Sequence, residues 1–194
     1  MDFSQVLLVI FNMLIVAFLP ILFFKRDGKL TFLWFLTALP YAVAPILLIL
    51  QFNGYFHSWI QLTGFTALLI QCIALLLVLI STALIFLTLG THRIPLALWH
   101  QNPNDDKPQQ IVTWGAYKYI RHPFYTAFIL AHAAFVLTSL HWSALVVFGY
   151  VFVLLHYTAK KEEQRLSTEV GELGVQYQTY YLKTNRFFPL KLRS

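Results

Sequence analysis

LTGFTALLIQCIALLLVLISTALIFLTLG, residues Leu62 to Gly90, runs for 29 positions without a charged side chain. A helix needs about 20 apolar residues to cross the hydrocarbon of a bilayer, so this stretch is long enough to span one and to tilt or project beyond it. The rest of the chain has the same character. Over 194 residues, 58% are hydrophobic and 11% charged, with mean hydropathy +0.64, which is the composition of an integral membrane protein.

Working outward from this segment, four more apolar stretches stand at Gln5–Phe24, Leu30–Leu50, Pro123–Leu140 and Trp142–Ala159. Each is near the length of a helical crossing. The pattern predicts an all-α polytopic membrane protein of five transmembrane helices plus a cytosolic C-terminal helix. No polar or Gly/Ser-rich linker divides the chain, so residues 1–194 are expected to form a single domain. The first span has neither a basic n-region nor a small-residue cleavage site, and reads as a retained helix. Pro40 and Pro45 should kink the second.

The 14 basic residues are distributed unevenly. Lys25, Arg26 and Lys29 follow the first span, Arg93, Lys107, Lys118 and Arg121 lie between the third and fourth, and the other seven lie from Lys160 onward. The alternate connections, Gln51–Gln61 and Leu140–His141, have none. By the positive-inside rule the N-terminus faces out and the C-terminus faces the cytoplasm. The net charge of +6 is thereby accounted for without a nucleic-acid partner.

Two polar segments then fall on the same cytosolic face. One is Gly115-Ala-Tyr-Lys-Tyr-Ile-Arg-His-Pro-Phe-Tyr125, and the other is Glu162-Glu163 after the fifth span. The connection Thr91–Arg121 is long for a compact domain and turn-rich between Asn102 and Pro108, as functional loops are. Gly115 can take a positive φ and let the backbone approach a ligand. Pro123 suits the first turn of a helix, which places His122 at the end that favours an anion. The same residues would also serve as a helix cap with an interfacial arginine and a tyrosine belt. On a helix, Glu163, Leu166, Val170 and Gly174 share a face, so Glu163 borders an apolar stripe. Glu162 and Glu163 could equally be a solvated pair offset by Lys160 and Lys161. His132 and His156 are set aside as helix-packing residues.

Cys72 is the lone cysteine, so neither an internal disulfide nor a Cys-rich metal site can form, and no metal is expected. Walker, dinucleotide and Gly-x-Ser-x-Gly motifs are absent from the sequence, which removes the commonest nucleotide and serine-hydrolase routes.

In order and spacing, Gly115-x-Tyr117-x-x-x-Arg121-His122-Pro123-x-Tyr125, two spans, Glu162-Glu163-x-x-Leu166, Gly171, Tyr177-x-x-Tyr180 and Arg186-Phe187-Phe188-Pro189 resemble the isoprenylcysteine carboxyl methyltransferase (ICMT) family. The likeness covers Gln109–Pro189 and is to the minimal, prokaryotic-type members. It implies a membrane methyltransferase that takes S-adenosylmethionine at the cytosolic face, releases S-adenosylhomocysteine and methylates a lipid-linked acceptor. Carried over residue by residue, it implies cofactor contacts from Gln110, Ile111, Val112, Gly115, Tyr117, His122, Pro123 and Tyr125, with Glu162 or Glu163 closing the site. No catalytic base is implied, because a carboxylate acceptor needs none.

The resemblance further implies a prenylated peptide or other lipid-linked small molecule as substrate, most directly an isoprenylcysteine-type carboxylate. Where many members carry an arginine shortly before the glutamates, this chain has Tyr157, Thr158 and Ala159. Arg121, Lys160 or Lys161 are therefore the cations expected to meet the acceptor. Related motifs occur in phospholipid amine N-methyltransferases, which gives a second enzyme reading. A third, sterol-reductase-like activity with NADPH, asks for a longer chain. A non-enzymatic scaffold or transport component, in which Arg121-His122-Pro123 merely anchors the fourth span, is the alternative of another class.

Overall fold

A computed structural model describes residues 3–23, 25–26, 29–30, 32–91, 111–168 and 171–189. The chain is helical: α1 Phe3–Phe23, α2 Phe32–Phe52, α3 Gly64–Thr91, α4 Pro123–Ser139, α5 Trp142–Ser167 and α6 Glu172–Lys183. A two-rung antiparallel ribbon, Lys25–Arg26 with Lys29–Leu30, lies between α1 and α2, and α2 continues through both Pro40 and Pro45.

Two of these helices, α3 and α5, are long and apolar enough to cross a membrane. Shorter apolar helical stretches are Phe3–Val16, Leu39–Phe52 and Pro123–Ser139. At 1.5 Å per residue α3 is roughly 42 Å long, more than the hydrocarbon core requires. The apolar part of α5 ends at Ala159, and Lys160 to Arg165 extend the helix beyond it.

Contacts group the chain into two compact units, one of residues 1–83 and 127–153 and the other of 84–126 and 154–194. The first has the inside-out character that lipid imposes. Leu7, Leu8, Phe11 and Leu14 are exposed, whereas Val6, Val9, Met13 and Val16 are buried at helical spacing. With hydrocarbon outside, apolar burial gains little, and close approach of small residues together with interhelical hydrogen bonds holds helices instead. Ala131, Ala134 and Ala144 are fully buried. The Nδ2 of Asn12 donates to Ser81 Oγ at 3.3 Å and Thr82 Oγ1 at 2.9 Å, and Ser81 Oγ donates to the Ala127 carbonyl at 2.9 Å. His132 is fully buried, bonded through Nδ1 to the Phe128 carbonyl and set edge-on to Tyr41, in keeping with a packing role.

The α4–α5 connection is as short as the apolar pattern predicts. His141 Nδ1 lies 2.7 Å from Ser143 Oγ and accepts the Ser143 amide at 3.3 Å, closing the start of α5. Ser139 and Gln51 bond reciprocally: Nε2 of Gln51 donates to the Ser139 carbonyl, and the Ser139 hydroxyl donates to Gln51 Oε1, both at 2.7 Å.

Among the described residues the Asn12 side chain has no partner for Oδ1, so its donor half is what stabilises the fold. Replacing Asn12 by Val should therefore lower unfolding free energy in detergent by only about 0.5–1.5 kcal/mol, read from denaturant melts. A loss comparable with that of a buried ion pair would show that Asn12 does more than bridge α1 to α3.

Candidate functional site

The second unit brings the two polar segments together. Gly115 opens a 3-10 turn, Gly115–Lys118, and the backbone then runs through Ile120 to His122, whose carbonyl accepts the Thr126 amide and so starts α4. The positive φ expected of Gly115 is present, at +60°. What approaches it, however, is the Thr91 side chain, whose Oγ1 would lie 1.9 Å from a Cβ at this position. The glycine thus seats the turn against the end of α3.

Glu163 is the centre of the cluster. Its side chain is 5% exposed and meets two guanidinium groups: Arg121 Nε at 2.9 Å from Oε1, and Arg186, with Nε at 3.0 Å from Oε1 and Nη2 at 2.5 Å from Oε2. His122 Nε2 is 3.3 Å from Oε1. This is ion-pair distance without the alignment of a hydrogen bond, and among the described residues Nε2 has no bonded partner. Burial alone would raise the Glu163 carboxyl, but His122, Arg186 and Arg121 overcome it and hold the group well below the ordinary carboxylate range.

Arg121, expected to meet an acceptor, has its Nε and Nη1 donors engaged within the protein. Besides Glu163 it donates through Nη1 to the carbonyls of Tyr181, at 3.1 Å, and Thr184, and its guanidinium lies 4.1 Å from the Tyr181 ring centroid. It braces the C-terminal segment, which runs beside the start of α4. Ile120 and Asn185 form a parallel bridge. The Arg121 amide donates to the Asn185 carbonyl at 2.8 Å and the His122 amide to that of Arg186 at 3.1 Å. Thr126 Oγ1 donates to the Phe187 carbonyl at 2.9 Å. From α6, whose buried face is Gly174, Tyr177 and Tyr180, the Tyr180 hydroxyl donates to the Tyr117 carbonyl at 2.7 Å.

Glu162 has the opposite environment. Its side chain is 47% exposed, Oε1 accepts from the Tyr125 hydroxyl at 2.7 Å, and Oε2 lies 3.5 Å from His122 Nδ1. His122 and Tyr125 stack with their planes 2° apart. Burial raises the Glu162 carboxyl above its ordinary value, against the lowering effect of Tyr125 and His122 and with a further rise from Glu163. Burial also raises the Tyr117 phenol, with Tyr180 and Glu162 adding to the effect. Of the two glutamates, Glu162 is the one with a free approach.

Pro123 is buried at the first position of α4. Ile111 and Val112 are half-buried and carry no regular secondary structure, and Gln110 lies outside the described residues, as do Arg93, Lys107 and Val170. Lys160 and Lys161 are exposed, and Lys161 Nζ lies 4.6 Å from the Tyr157 ring centroid. Two participants stand outside the sequence-based site. Arg186 had entered only as part of a motif, and His156, set aside as packing, lies with its ring nitrogens 3.1–3.3 Å from Arg186 Nη1. A carboxylate bordering a helix's apolar stripe asks for a cation from elsewhere in the chain, and that is the signal that could have found Arg186.

Residues 97–168 match the family model of the isoprenylcysteine carboxyl methyltransferase (ICMT) family. The match takes in the Gly115–Tyr125 and Glu162–Glu163 segments, and supports the ICMT-like assignment made from them. No curated protein and no solved structure matches the chain.

Gly115→Ala should cost about 2–4 kcal/mol, combining left-handed strain with overpacking against Thr91. Adding Thr91→Ala should restore part of it in a double-mutant cycle, whereas strict additivity would refute the contact. Because the Glu163 carboxyl titrates lower in the folded protein, its contribution to stability is present above the ordinary carboxylate value and is lost as pH falls below it toward the depressed one. Thermal melts should show this acid sensitivity in the wild type and less of it in Glu163→Gln.

Proposed function

We propose, from the ICMT-like assignment of residues 97–168, that this chain is a membrane methyltransferase that binds S-adenosylmethionine at the cytosolic end of α4 and α5 and methylates a lipid-linked acceptor. The full reading places five spans in the membrane, with the N-terminus out and the C-terminus in. The observation that carries it is the pairing of a half-exposed carboxylate, Glu162, with Tyr125 and the stacked His122, two spans apart in sequence and side by side in space.

The donor set suits the cofactor. It needs an acceptor for an amino group or ribose hydroxyl, aromatic surface beside a cation, and a site for a carboxylate. Glu162 supplies the first, Tyr125 and Tyr117 the second, and the start of α4 the third. Ile111, Val112 and Gln110 would complete the approach. When bound, the cofactor supplies an electrophilic methyl group on a sulfonium. The protein's task is alignment and water exclusion, a contribution of up to about 7–11 kcal/mol. Glu163 serves this by fixing Arg121, His122 and Arg186, so that the open carboxylate is Glu162.

An isoprenylcysteine-type carboxylate is the acceptor to which the family points. One observation favours a second reading, an amine of a phospholipid headgroup. Arg121 and Arg186 both face Glu163, and the charged side chain left open beside His122 is the anion Glu162, which can take a proton from an ammonium group.

Isothermal titration of the purified chain with S-adenosylhomocysteine tests the first claim: a folded protein that does not bind it ends the proposal. Glu162→Ala should weaken binding by about 1–3 kcal/mol, the value of a charged hydrogen bond. Lys161→Ala should leave it within about 0.5 kcal/mol, as an exposed surface group does. For the acceptor, radiolabelled methyl transfer to a farnesylcysteine analogue as a base-labile ester supports the carboxylate reading, and transfer to phosphatidylethanolamine supports the amine.

A further inference from the structure

A cavity of about 280 Å³ lies in the first unit, near the lower limit of the range of small-molecule sites. It is bounded by the N-terminal ends of α1 and α3, the α2–α3 connection and the C-terminal end of α4. Its polar lining is Gln5, Ser58, Gln61, Thr63, Gln71 and Thr138, and its apolar lining includes Leu137 and Leu140. Among the described residues no charged side chain lines it.

Three features separate it from an accidental gap. Gln71 stands seven residues into α3, about 10 Å along its axis, among residues as apolar as Leu68, Leu75 and Leu76. Gln71 and Gln61 are both exposed and neither amide is bonded among the described residues; on an apolar helix an amide left to hydrocarbon is costly, so that of Gln71 asks for a partner from outside the protein. Leu140, at the end of α4, has φ +49°, a conformation that ordinarily falls to glycine and that clusters at ligand sites when another side chain holds it. The wall is also fastened rigidly. Ser58 Oγ donates to the Ser139 carbonyl at 2.9 Å, and the Trp59 amide to that of Leu140 at 2.9 Å, leaving the Trp59 ring 73% exposed.

We infer that this cavity binds a membrane lipid with an uncharged polyol headgroup, seating a sugar-like ring among the amides and hydroxyls and the lipid chain along Leu137 and α3. Amide and hydroxyl groups donate and accept in equal measure, which matches hydroxyls. A phosphate would call for Lys or Arg, and an ammonium headgroup for a carboxylate or an aromatic cage. The site uses none of the residues around Glu162 and Glu163.

The full chain, purified in detergent and exchanged with equimolar monoglucosyl diacylglycerol, diacylglycerol and phosphatidylglycerol, should retain the glucolipid preferentially in native mass spectrometry. Gln71→Leu/Thr138→Val should reduce that retention about tenfold, as the loss of one or two neutral hydrogen bonds would, and Ala67→Phe, which fills the cavity, should abolish it. Melting temperatures of the variants close to wild type exclude unfolding as the cause. Equal retention of the three lipids, preference for phosphatidylglycerol, or retention unchanged in both variants would overturn the inference.

Discussion

The carboxylate of Glu163, buried between Arg121 and Arg186 with His122 alongside, is the constraint that organises the second unit. A charge taken out of water is tolerable only when its partners satisfy it, and removal of Glu163 would leave two guanidinium groups facing each other without their anion. Three pieces of chain distant in sequence are thereby obliged to converge. They are the approach to α4, the far end of α5 and the extended segment after α6. The C-terminal segment is then held by backbone as well as side chain, through the Asn185, Arg186 and Phe187 carbonyls.

Adjacent glutamates on one helix point about 100° apart, and the protein uses this to give the pair two environments. Glu163 faces inward and is consumed by cations. Glu162 is bonded to a phenol and half open. Their carboxyl groups accordingly move in opposite directions from the ordinary value. A single chemical type thus supplies both the rigid support and the group free to meet a ligand, and the support fixes the position of the other.

The membrane character and the helices were legible from composition and span length, because hydrocarbon demands internally bonded backbone whatever the details. The pairing of the Arg121-His122-Pro123 segment with Glu162 and Glu163 was legible too, through the one-sided distribution of basic residues. Gly115 was legible in its φ and misread in its neighbour: the need for a missing side chain shows in sequence, but the identity of the group that fills the space does not. Arg121 read as a cation awaiting a substrate because its partners lie 42, 60 and 63 residues away. His156 read as packing, since nothing local to it announces Arg186.

Sequence by itself determined the membrane character and the order of the helices, since these follow from hydropathy summed along the chain. Only the tertiary structure decided which glutamate is buried and which is open, that both arginines are already engaged, and that Gln71 borders a cavity. Each of these depends on distances between residues far apart in sequence, and in a low-dielectric interior an ångström or two separates an ion pair from a binding group.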